Sequence, residues 1–268
     1  MFLLISKKRT NRLTYKYLSR INFVNIFPNE AVPPKIKIDL LFKFKLNSFT
    51  VIQIKHKNTN DYLQKGSLVD LLILLKFVLV KFYKMNIDES LKCLQENKVL
   101  LYPTDTVWGI GCDATDSVAV AKIYKIKKRE ESKSLILLVS SLHMLQRYVK
   151  AIPAKAVEIL AKAQNPTTII YRNPEGLAKN TIAPDQTIAI RIVKSGFCHE
   201  LIRRFDKPIV STSANASGKP TPKSFSEISP AILESVDYVV ALHQNQTAEK
   251  PSTILRITEA GDIAILRE

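Results

Sequence analysis

The chain has 268 residues, of which 46% are hydrophobic and 24% charged, a composition typical of a globular protein and not of a disordered or fibrous one. Its formal net charge of +16 lies mostly at the amino-terminal end: residues 1–84 hold sixteen basic and four acidic side chains, and residues 85–268 hold twenty-four basic and twenty acidic. A single uniformly basic domain is therefore excluded. The three cysteines are too widely spaced for a disulfide framework or a zinc site, which favours a reducing, cytoplasmic compartment.

Residues 1–84 are predicted to be a basic leader that is disordered or not part of the mature protein. The opening apolar run is too short for a signal peptide and precedes its basic residues, so secretion is not expected. The later apolar run Leu68–Phe82 contains three charged residues and is shorter than the roughly 20 residues that span a bilayer. A membrane span is not expected, although a membrane-surface helix is an alternative. Met85 is an alternative first residue, with Asp88 or Ser90 predicted to cap a helix.

Residues 85–268 alternate helical and strand patterns at short spacing, with no repeat and no linker, and this predicts a single α/β domain. The predicted helices are Glu89–Asn97, Asp116–Lys128, Leu142–Val149, Pro153–Ala163, Phe197–Phe205 and Phe225–Glu234. The predicted strands are Val99–Pro103, Ser134–Ser140, Thr167–Tyr171, Thr187–Val193, Pro208–Thr212 and Val236–Leu242. The remaining residues, from Ser252 on, predict a hairpin that turns near Gly261.

A glycine motif, Gly109–Ala114, has the GxGxxA form of a dinucleotide-binding turn. Such a turn follows a strand directly and opens a helix whose first amides bind the pyrophosphate. Here four polar or proline residues separate the glycines from the preceding apolar strand, and the next helix is predicted to begin only near Asp116. A dinucleotide-binding fold is therefore disfavoured.

Two other motifs indicate anion and ligand binding. Five cations lie between Lys125 and Lys133, at the end of a predicted helix and before a strand, more than a favourable charge pattern at a helix end requires. Ser211–Gly218 reads STSANASG directly after an apolar strand, and polar residues at the carboxyl edge of a sheet are typical of ligand sites in α/β proteins. The alternatives are a charge pattern that only complements the helix dipole, for the cations, and a simple turn rich in Ser and Asn, for Ser211–Gly218. No catalytic triad and no metal-binding pattern are evident, so no metal ligands are assigned.

Five segments together resemble the YrdC-like threonylcarbamoyl-AMP synthase family in order and spacing. They are YPTDTVWGIGCDA (Tyr102–Ala114), KIKKREESKSL (Lys125–Leu135), AIRI (Ala189–Ile192), STSANASG (Ser211–Gly218) and PSTILRI (Pro251–Ile257). The resemblance covers about Met85–Glu268 and nothing in residues 1–84.

The resemblance implies a single catalytic domain over residues 85–268, with a twisted mixed sheet flanked by helices and a basic concave site. It also implies an enzyme, a nucleotidyltransferase that condenses L-threonine with bicarbonate or carbon dioxide and joins the carbamate to AMP, releasing pyrophosphate from ATP. Mg²⁺ would be carried with the nucleotide. The product would pass to tRNA threonylcarbamoyl-transferase proteins for the modification of tRNA. Such chemistry needs positioning and charge neutralisation more than a covalent nucleophile.

The same resemblance assigns site residues. The catalytic set it implies is Lys127, Arg129, Ser213 and Asn215. The implied ATP-binding residues are Lys127, Arg129, Lys133, Thr187, Ser213, Asn215, Thr221 and Arg267. The implied threonine-binding residues are Thr104, Thr106, Arg191, Ser211 and Ser252. Among these, Arg191 is the natural partner of the substrate carboxylate, because a guanidinium can bind a carboxylate through two parallel hydrogen bonds.

The chain departs from the family pattern at three places. Glu130 and Ser134 stand where prolines are usual, which changes loop stiffness more than charge. Gln164–Thr168 replaces the usual P-G-P-x-T segment, so that its tight glycine turn is lost. The sequence also ends at Glu268, and we expect it to lack the additional carboxyl-terminal domain of longer family members.

Two other functions fit parts of the sequence. A non-catalytic RNA-binding module could use the same basic concavity, but the domain is only slightly basic and its aromatic residues do not alternate with the basic ones as stacking platforms would. A carbamoyl-phosphate-dependent relative that matures a metalloenzyme would carry zinc-finger cysteines, and the sequence has no such pattern.

Overall fold

The computed structural model describes residues 2–4, 15–21, 38–45, 48–55, 68–130, 135–244, 247, 250–258 and 261–268, with side chains from residue 78 onward. The chain divides into two compact units, Met1–Val78 and Leu79–Glu268. The first unit contains four antiparallel strands in the order β1-β2-β3-β4. These strands are β1 (Phe2–Leu4), β2 (Tyr15–Ile21), β3 (Ile38–Lys45) and β4 (Ser48–Lys55). The expectation that residues 1–84 are a leader that is disordered or not part of the mature protein stays a prediction.

The first helix, α1, runs without a break over Leu68–Gln95, so the predicted helix start at Asp88 or Ser90 is wrong. The apolar run and the amphipathic segment after it contain no proline or glycine and join into one helix. Asn86 lies at the join, where its Nδ2 donates to Phe82 O and its Oδ1 accepts from Ala241 N. Ser90 is fully buried in the helix interior instead of capping it. Within the described residues, no helix is long and apolar enough to cross a membrane.

A nine-stranded mixed sheet forms the centre of the second unit, in the order β11-β5-β6-β10-β7-β9-β8-β12-β13. The strands are β5 (Leu100–Pro103), β6 (Trp108–Gly111), β7 (Ile136–Val139), β8 (Thr167–Arg172), β9 (Thr187–Ile192), β10 (Ile209–Ser213), β11 (Tyr238–Val239), β12 (Thr253–Ile257) and β13 (Ile263–Arg267). Three neighbouring pairs are parallel, β11 with β5, β7 with β9 and β8 with β12, and the others are antiparallel.

The helices that follow α1 are short and amphipathic. They are α2 (Ser117–Lys127), α3 (Leu142–Tyr148), α4 (Ala154–Lys162), α5 (Gly196–Phe205) and α6 (Pro230–Ser235). Asp116, the first residue of the predicted helix, caps α2, because its side chain accepts from Ala119 N. The helix predicted over Phe225–Glu234 is wrong as a single element: a 3-10 turn, Phe225–Glu227, precedes α6. Pro230 is the cause, since proline fits the first turn of a helix and not its interior.

Strand β6 was not predicted, because glycine is a poor strand former and two glycines occur in four residues. The strand depends on them for close packing against Tyr102, whose ring is fully buried. A Cβ atom at Gly111 would lie 2.5 Å from Val210 O and 2.6 Å from Tyr102 Cε1. The GxGxxA motif therefore serves strand packing, and it opens no helix.

Gly111→Ala is expected to destabilise the second unit by about 1–3 kcal/mol, the usual cost of overpacking a core. Urea unfolding followed by circular dichroism measures the change. Val118→Ala, on the exposed face of α2, is the control and should change the free energy of unfolding by less than about 0.5 kcal/mol. Equal effects in the two variants would contradict the packing argument.

Candidate active site

The end of β10 and the loop after it form the first part of the site. Ser213 Oγ donates to Asn215 Oδ1, and Asn215 Nδ2 donates to Lys219 O and Ala216 O. The asparagine side chain thus closes its own loop through local hydrogen bonds, as short polar side chains do in turns. The STSANASG segment is a structured loop at the carboxyl end of a buried strand.

Lys127 holds this loop in place through hydrogen bonds from its buried ammonium group. Its Nζ lies 2.6 Å from Ser213 O, 2.7 Å from Asn215 O and 3.5 Å from Asn215 Oδ1, and its own carbonyl accepts from Ser217 N. The residue is only 2% exposed. Burial, together with the charge of Arg129, lowers the pKa of Lys127 from 10.5 to about 8. The three donors of the ammonium group all point at the loop, so Lys127 positions Ser213 and Asn215.

The turn between β5 and β6 forms the second part. Thr104 Oγ1 donates to Val107 O and accepts from Thr106 N, and it lies 3.0 Å from Thr106 Oγ1. These bonds hold the turn in one conformation. A Cβ atom at Gly109 would lie 3.1 Å from both Ser211 Oγ and Thr104 Cγ2. Ser211, on β10, therefore lies beside this turn, called the threonine turn below because it contains Thr104 and Thr106.

Arg191 joins the same cluster from β9, which lies two strands from β10 in the sheet. Its Nη1 donates to Thr106 Oγ1 at 3.1 Å, and its Nη2 lies 2.9 Å from Asp105 Oδ1. The guanidinium is almost completely buried, whereas the Asp105 side chain is 26% exposed. Cys198 lies near Arg191 and Asp105. Burial raises the pKa of its thiol, so the thiol stays protonated.

Ser252 and Arg267 extend the cluster along the sheet. The register of β8 and β9 pairs Thr168 with Arg191, and Thr168 Oγ1 lies 2.8 Å from Ser252 Oγ. Arg267 donates through Nε and Nη2 to Ser252 O at 3.0 and 2.9 Å, and through Nη2 to Ser252 Oγ. Partial burial, and then the nearby charge of Arg191, lower the pKa of the Arg267 guanidinium. Two cations thus lie close together on this face of the sheet.

A cavity of about 320 Å³ opens next to this cluster, over β8, β9 and β12. Thr187 lies on its wall and donates from Oγ1 to Asp185 Oδ1 at 2.6 Å. Asp185 also lies 3.6 Å from Arg256 Nη2. Thr187 and Arg191 occupy alternate positions of β9 and so point to the same face of the sheet. Ala189, between them on the same face, also lines the cavity, so the cavity lies next to Arg191 on this face of the sheet.

The family model of the Sua5, YciO and YrdC proteins, described as telomere recombination, matches residues 92–268. The chain belongs to this family.

Relatives of this YrdC family include a putative threonylcarbamoyl-AMP synthase of Methanocaldococcus jannaschii, 34% identical over 71% of this chain and 93% of the relative. The threonylcarbamoyl-AMP synthase of Xanthomonas euvesicatoria is 31% identical over 67% of this chain and 96% of the length of that relative. These similarities confirm the family resemblance and the prediction of an enzyme of the nucleotidyltransferase class.

Solved structures confirm the predicted fold class. P. abyssi Sua5 complexed with L-threonine superimposes with a TM-score of 0.61 at 27% identity, over 68% of this chain. The present chain matches 53% of the Sua5 chain and thus spans about half its length. E. coli YciO shares the fold with a TM-score of 0.58 at 22% identity, over 88% of its length.

The structure gathers most of the residues predicted for the YrdC-family site into two clusters. Lys127, Ser213 and Asn215 form the first, and Thr104, Thr106, Arg191, Ser211 and Ser252 the second, as described above. Arg129 follows α2, with its N–H bonded to Tyr124 O. Thr221 lies half-buried in the segment after the loop. Lys133 and Ser134 lie outside the described residues.

Two predicted ATP-binding residues have unexpected surroundings. Arg267 contacts Ser252, a predicted threonine-binding residue, and not the loop of Ser213. Lys127 is buried beneath that loop instead of facing an open groove. Of the residues that sequence reasoning missed, Asp105 lies inside the quoted YPTDT motif but was passed over in favour of its two threonines. Among the described residues, no group of three or more His, Cys, Asp or Glu side chains could hold a metal ion.

ATP affinity of this YrdC-family chain is expected to fall as the pH rises through about 8. Above that value Lys127 is neutral and has two N–H donors for three acceptors, so the loop is held less firmly. The free energy of unfolding should change in the opposite direction. Between pH 8 and 10.5 the unfolded chain binds more protons at this lysine than the folded chain does, so stability rises with pH. Calorimetric ATP titration and urea unfolding at constant ionic strength measure the two trends, and an ATP affinity that is flat across pH 8 would contradict the role of the ammonium.

Proposed function

We propose that this chain synthesises threonylcarbamoyl-AMP from L-threonine, bicarbonate or carbon dioxide, and ATP, with release of pyrophosphate. The threonylcarbamoyl-AMP synthases among its relatives and the L-threonine bound to Sua5 support this reaction. The observation that carries it is that β10 contributes to both clusters. Ser211 lies beside the threonine turn and Ser213 in the loop held by Lys127. Being two residues apart, they point to the same face of the sheet.

The second cluster is suited to threonine. Arg191 supplies a buried guanidinium for a carboxylate, and a hydrogen bond to a charged group is stronger where water is excluded. Thr104, Thr106, Ser211 and Ser252 surround it with hydroxyl groups, which can both donate to and accept from the polar groups of a small amino acid. The contact of Arg267 with Ser252 adds a second cation at the edge of this pocket, where the amino-acid and nucleotide sites would meet.

The loop cluster is suited to the phosphates of ATP. Lys127 fixes the loop and adds positive potential beneath it, while Arg129 and Lys133 follow on the chain segment after α2. Ser213 and Asn215 provide polar groups above the buried ammonium. Thr187 on the cavity wall and Thr221 after the loop would contact the remainder of the nucleotide. Mg²⁺ would enter with ATP as part of the substrate.

The proposed reaction has two bond-forming steps. The ammonium group of threonine loses a proton, and its nitrogen then forms a bond to the carbon of bicarbonate. The C–OH bond of bicarbonate breaks, its hydroxyl group leaves as water with one N–H proton, and threonine becomes a carbamate. A carbamate oxygen then attacks the α-phosphorus of ATP, and the bond between the α-phosphorus and the bridging oxygen breaks, releasing pyrophosphate. The negative charge that grows on the leaving group is stabilised by fixed cations, which is the main form of catalysis in such transfers.

The test is pyrophosphate release by the full chain with ATP, Mg²⁺ and bicarbonate, measured with and without L-threonine. We expect release only with threonine and an adenylate with the mass of threonylcarbamoyl-AMP. Supplying the adenylate to a tRNA threonylcarbamoyl-transferase would then test the proposed downstream partner. Salt-sensitive RNA binding without threonine-dependent release would refute the synthase and favour the RNA-binding alternative.

A further inference from the structure

The ion pair between Arg191 and Asp105 lies at the centre of the proposed threonine pocket and is asymmetric. The guanidinium end is buried, with a side chain 4% exposed, and the carboxylate end is 26% exposed. Arg191 Nη1 binds Thr106 and Nη2 binds Asp105 Oδ1, and Arg191 Nε has no hydrogen-bond partner among the described residues although it is buried. Buried polar groups are nearly always satisfied in native structures, so an unsatisfied one indicates a ligand or water.

The turn holds Asp105 in this position through its neighbours. Thr104 Oγ1 accepts from Thr106 N and donates to Val107 O, so the backbone on both sides of Asp105 is fixed. The carboxylate can therefore not be treated as a freely moving surface group. Its Oδ1 faces Arg191, and the side chain is partly exposed, so the carboxylate stays accessible to a second charged group.

This arrangement sets a condition on what the pocket can bind. A simple carboxylate brought to Arg191 would also come close to the negative charge of Asp105, which opposes binding. An amino acid carries its own positive charge beside its carboxylate. If the carboxylate faces Arg191, its ammonium group can face Asp105, and opposite charges then meet at both ends of the ion pair.

We propose that Asp105 binds the α-ammonium group of the amino-acid substrate while Arg191 binds its carboxylate, so that this ion pair selects a zwitterion. The inference rests on the proposed function and adds a specificity-determining residue to it. Other described acids near the site are committed elsewhere. Asp185 binds Thr187 at the far side of the cavity, and Asp113 binds Thr115 and Lys207.

The experiment compares two ligands on the full chain without ATP. The first is L-threonine and the second is 2,3-dihydroxybutanoate, in which a hydroxyl group replaces the ammonium group. In the unaltered protein, calorimetry should show the hydroxy acid binding about 10- to 100-fold more weakly than threonine, the range that loss of a hydrogen bond to a charged group gives. Equal affinities in the unaltered protein would overturn the proposal without any variant.

The variant Asp105→Asn keeps the shape of the side chain and removes its charge. We expect threonine affinity to fall about 10- to 100-fold and the preference for threonine over the hydroxy acid to disappear. Asp105→Glu, which keeps the charge, should retain the preference. Unchanged threonine affinity in Asp105→Asn, or an equal loss for both ligands, would overturn the proposal, since an equal loss is what a purely structural role through Arg191 produces.

Asp206→Asn is the matched control, because Asp206 forms an ion pair of the same 2.9 Å length with Arg147 at the surface. It should leave both affinities unchanged. The results distinguish failure of the proposed synthase function from failure of the proposed role of Asp105. Without threonine-dependent pyrophosphate release by the unaltered chain the proposed function fails, whereas normal release with a full-affinity Asp105→Asn variant overturns only the role of Asp105.

Discussion

Replacement of Arg191 by methionine is expected to remove nearly all threonine-dependent pyrophosphate release. Arg191 is buried, and its guanidinium bonds to Asp105 and Thr106. Its removal takes away the proposed carboxylate partner and leaves an acid without its cation. Truncating one member of a buried, hydrogen-bonded charge pair costs about 2–5 kcal/mol. The corresponding rise in the KM for threonine is roughly 30-fold to several thousand-fold.

The KM for ATP distinguishes loss of the pocket from loss of the fold. It should change little in Arg191→Met, because Arg191 lies on β9, whereas the loop of Ser213 follows β10 and is held by Lys127 on α2. Arg203→Met removes an arginine from an exposed pair with Glu200 on α5 and is the control, with kinetics expected to match the unaltered chain. A parallel rise in both KM values in Arg191→Met would count against a dedicated threonine pocket.

Lys127→Met is expected to lower pyrophosphate release by about 100-fold or more, with a moderate loss of stability. Methionine fills a similar volume but leaves the carbonyls of Ser213 and Asn215 without their donor. Each unsatisfied buried carbonyl costs about 1–3 kcal/mol, and removal of a poorly solvated charge offsets part of this. The larger effect falls on activity, because a displacement of about 1 Å in a catalytic loop costs around 100-fold in rate.

Steady-state kinetics and urea unfolding measured on the same preparation test this expectation. Lys122→Met is the matched control, since Lys122 lies on the same helix with an exposed side chain that donates to Asn97 O. It should retain full activity and lie within about 0.5 kcal/mol of the unaltered chain in stability. Near-normal pyrophosphate release in Lys127→Met would refute the role of the ammonium in holding the loop.

Periodicity was sufficient for most elements of residues 85–268, because their apolar residues repeat with helical or strand spacing. It failed where a neighbour in space decides the structure. The glycines of β6 resemble a loop until the buried ring of Tyr102 is known to lie against them. Likewise, the continuous helix through Asn86 depends on a hydrogen bond from Ala241, 155 residues away.

The site residues divide in the same way. Ser213 and Asn215 interact locally, and their motif could be recognised from the sequence alone. The burial of Lys127 had a readable signal that the family resemblance obscured: the residue lies three and four positions after Tyr124 and Ile123, on the apolar face of α2. The partner of Arg191 could not be inferred, since Asp105 is 86 positions away in the sequence and reaches it only through the fold of the sheet.

Strand β10 also fixes the distance between the two proposed substrate sites. Ser211 and Ser213 are separated by two residues of extended chain, about 6.5 Å, and no flexible loop lies between them. A strand cannot slip by one residue without turning every side chain to the opposite face. Insertion of a single residue between Ser211 and Ser213 would therefore place one serine on the wrong side of the sheet, so the spacing of these two serines should tolerate no change during evolution even where the neighbouring side chains vary.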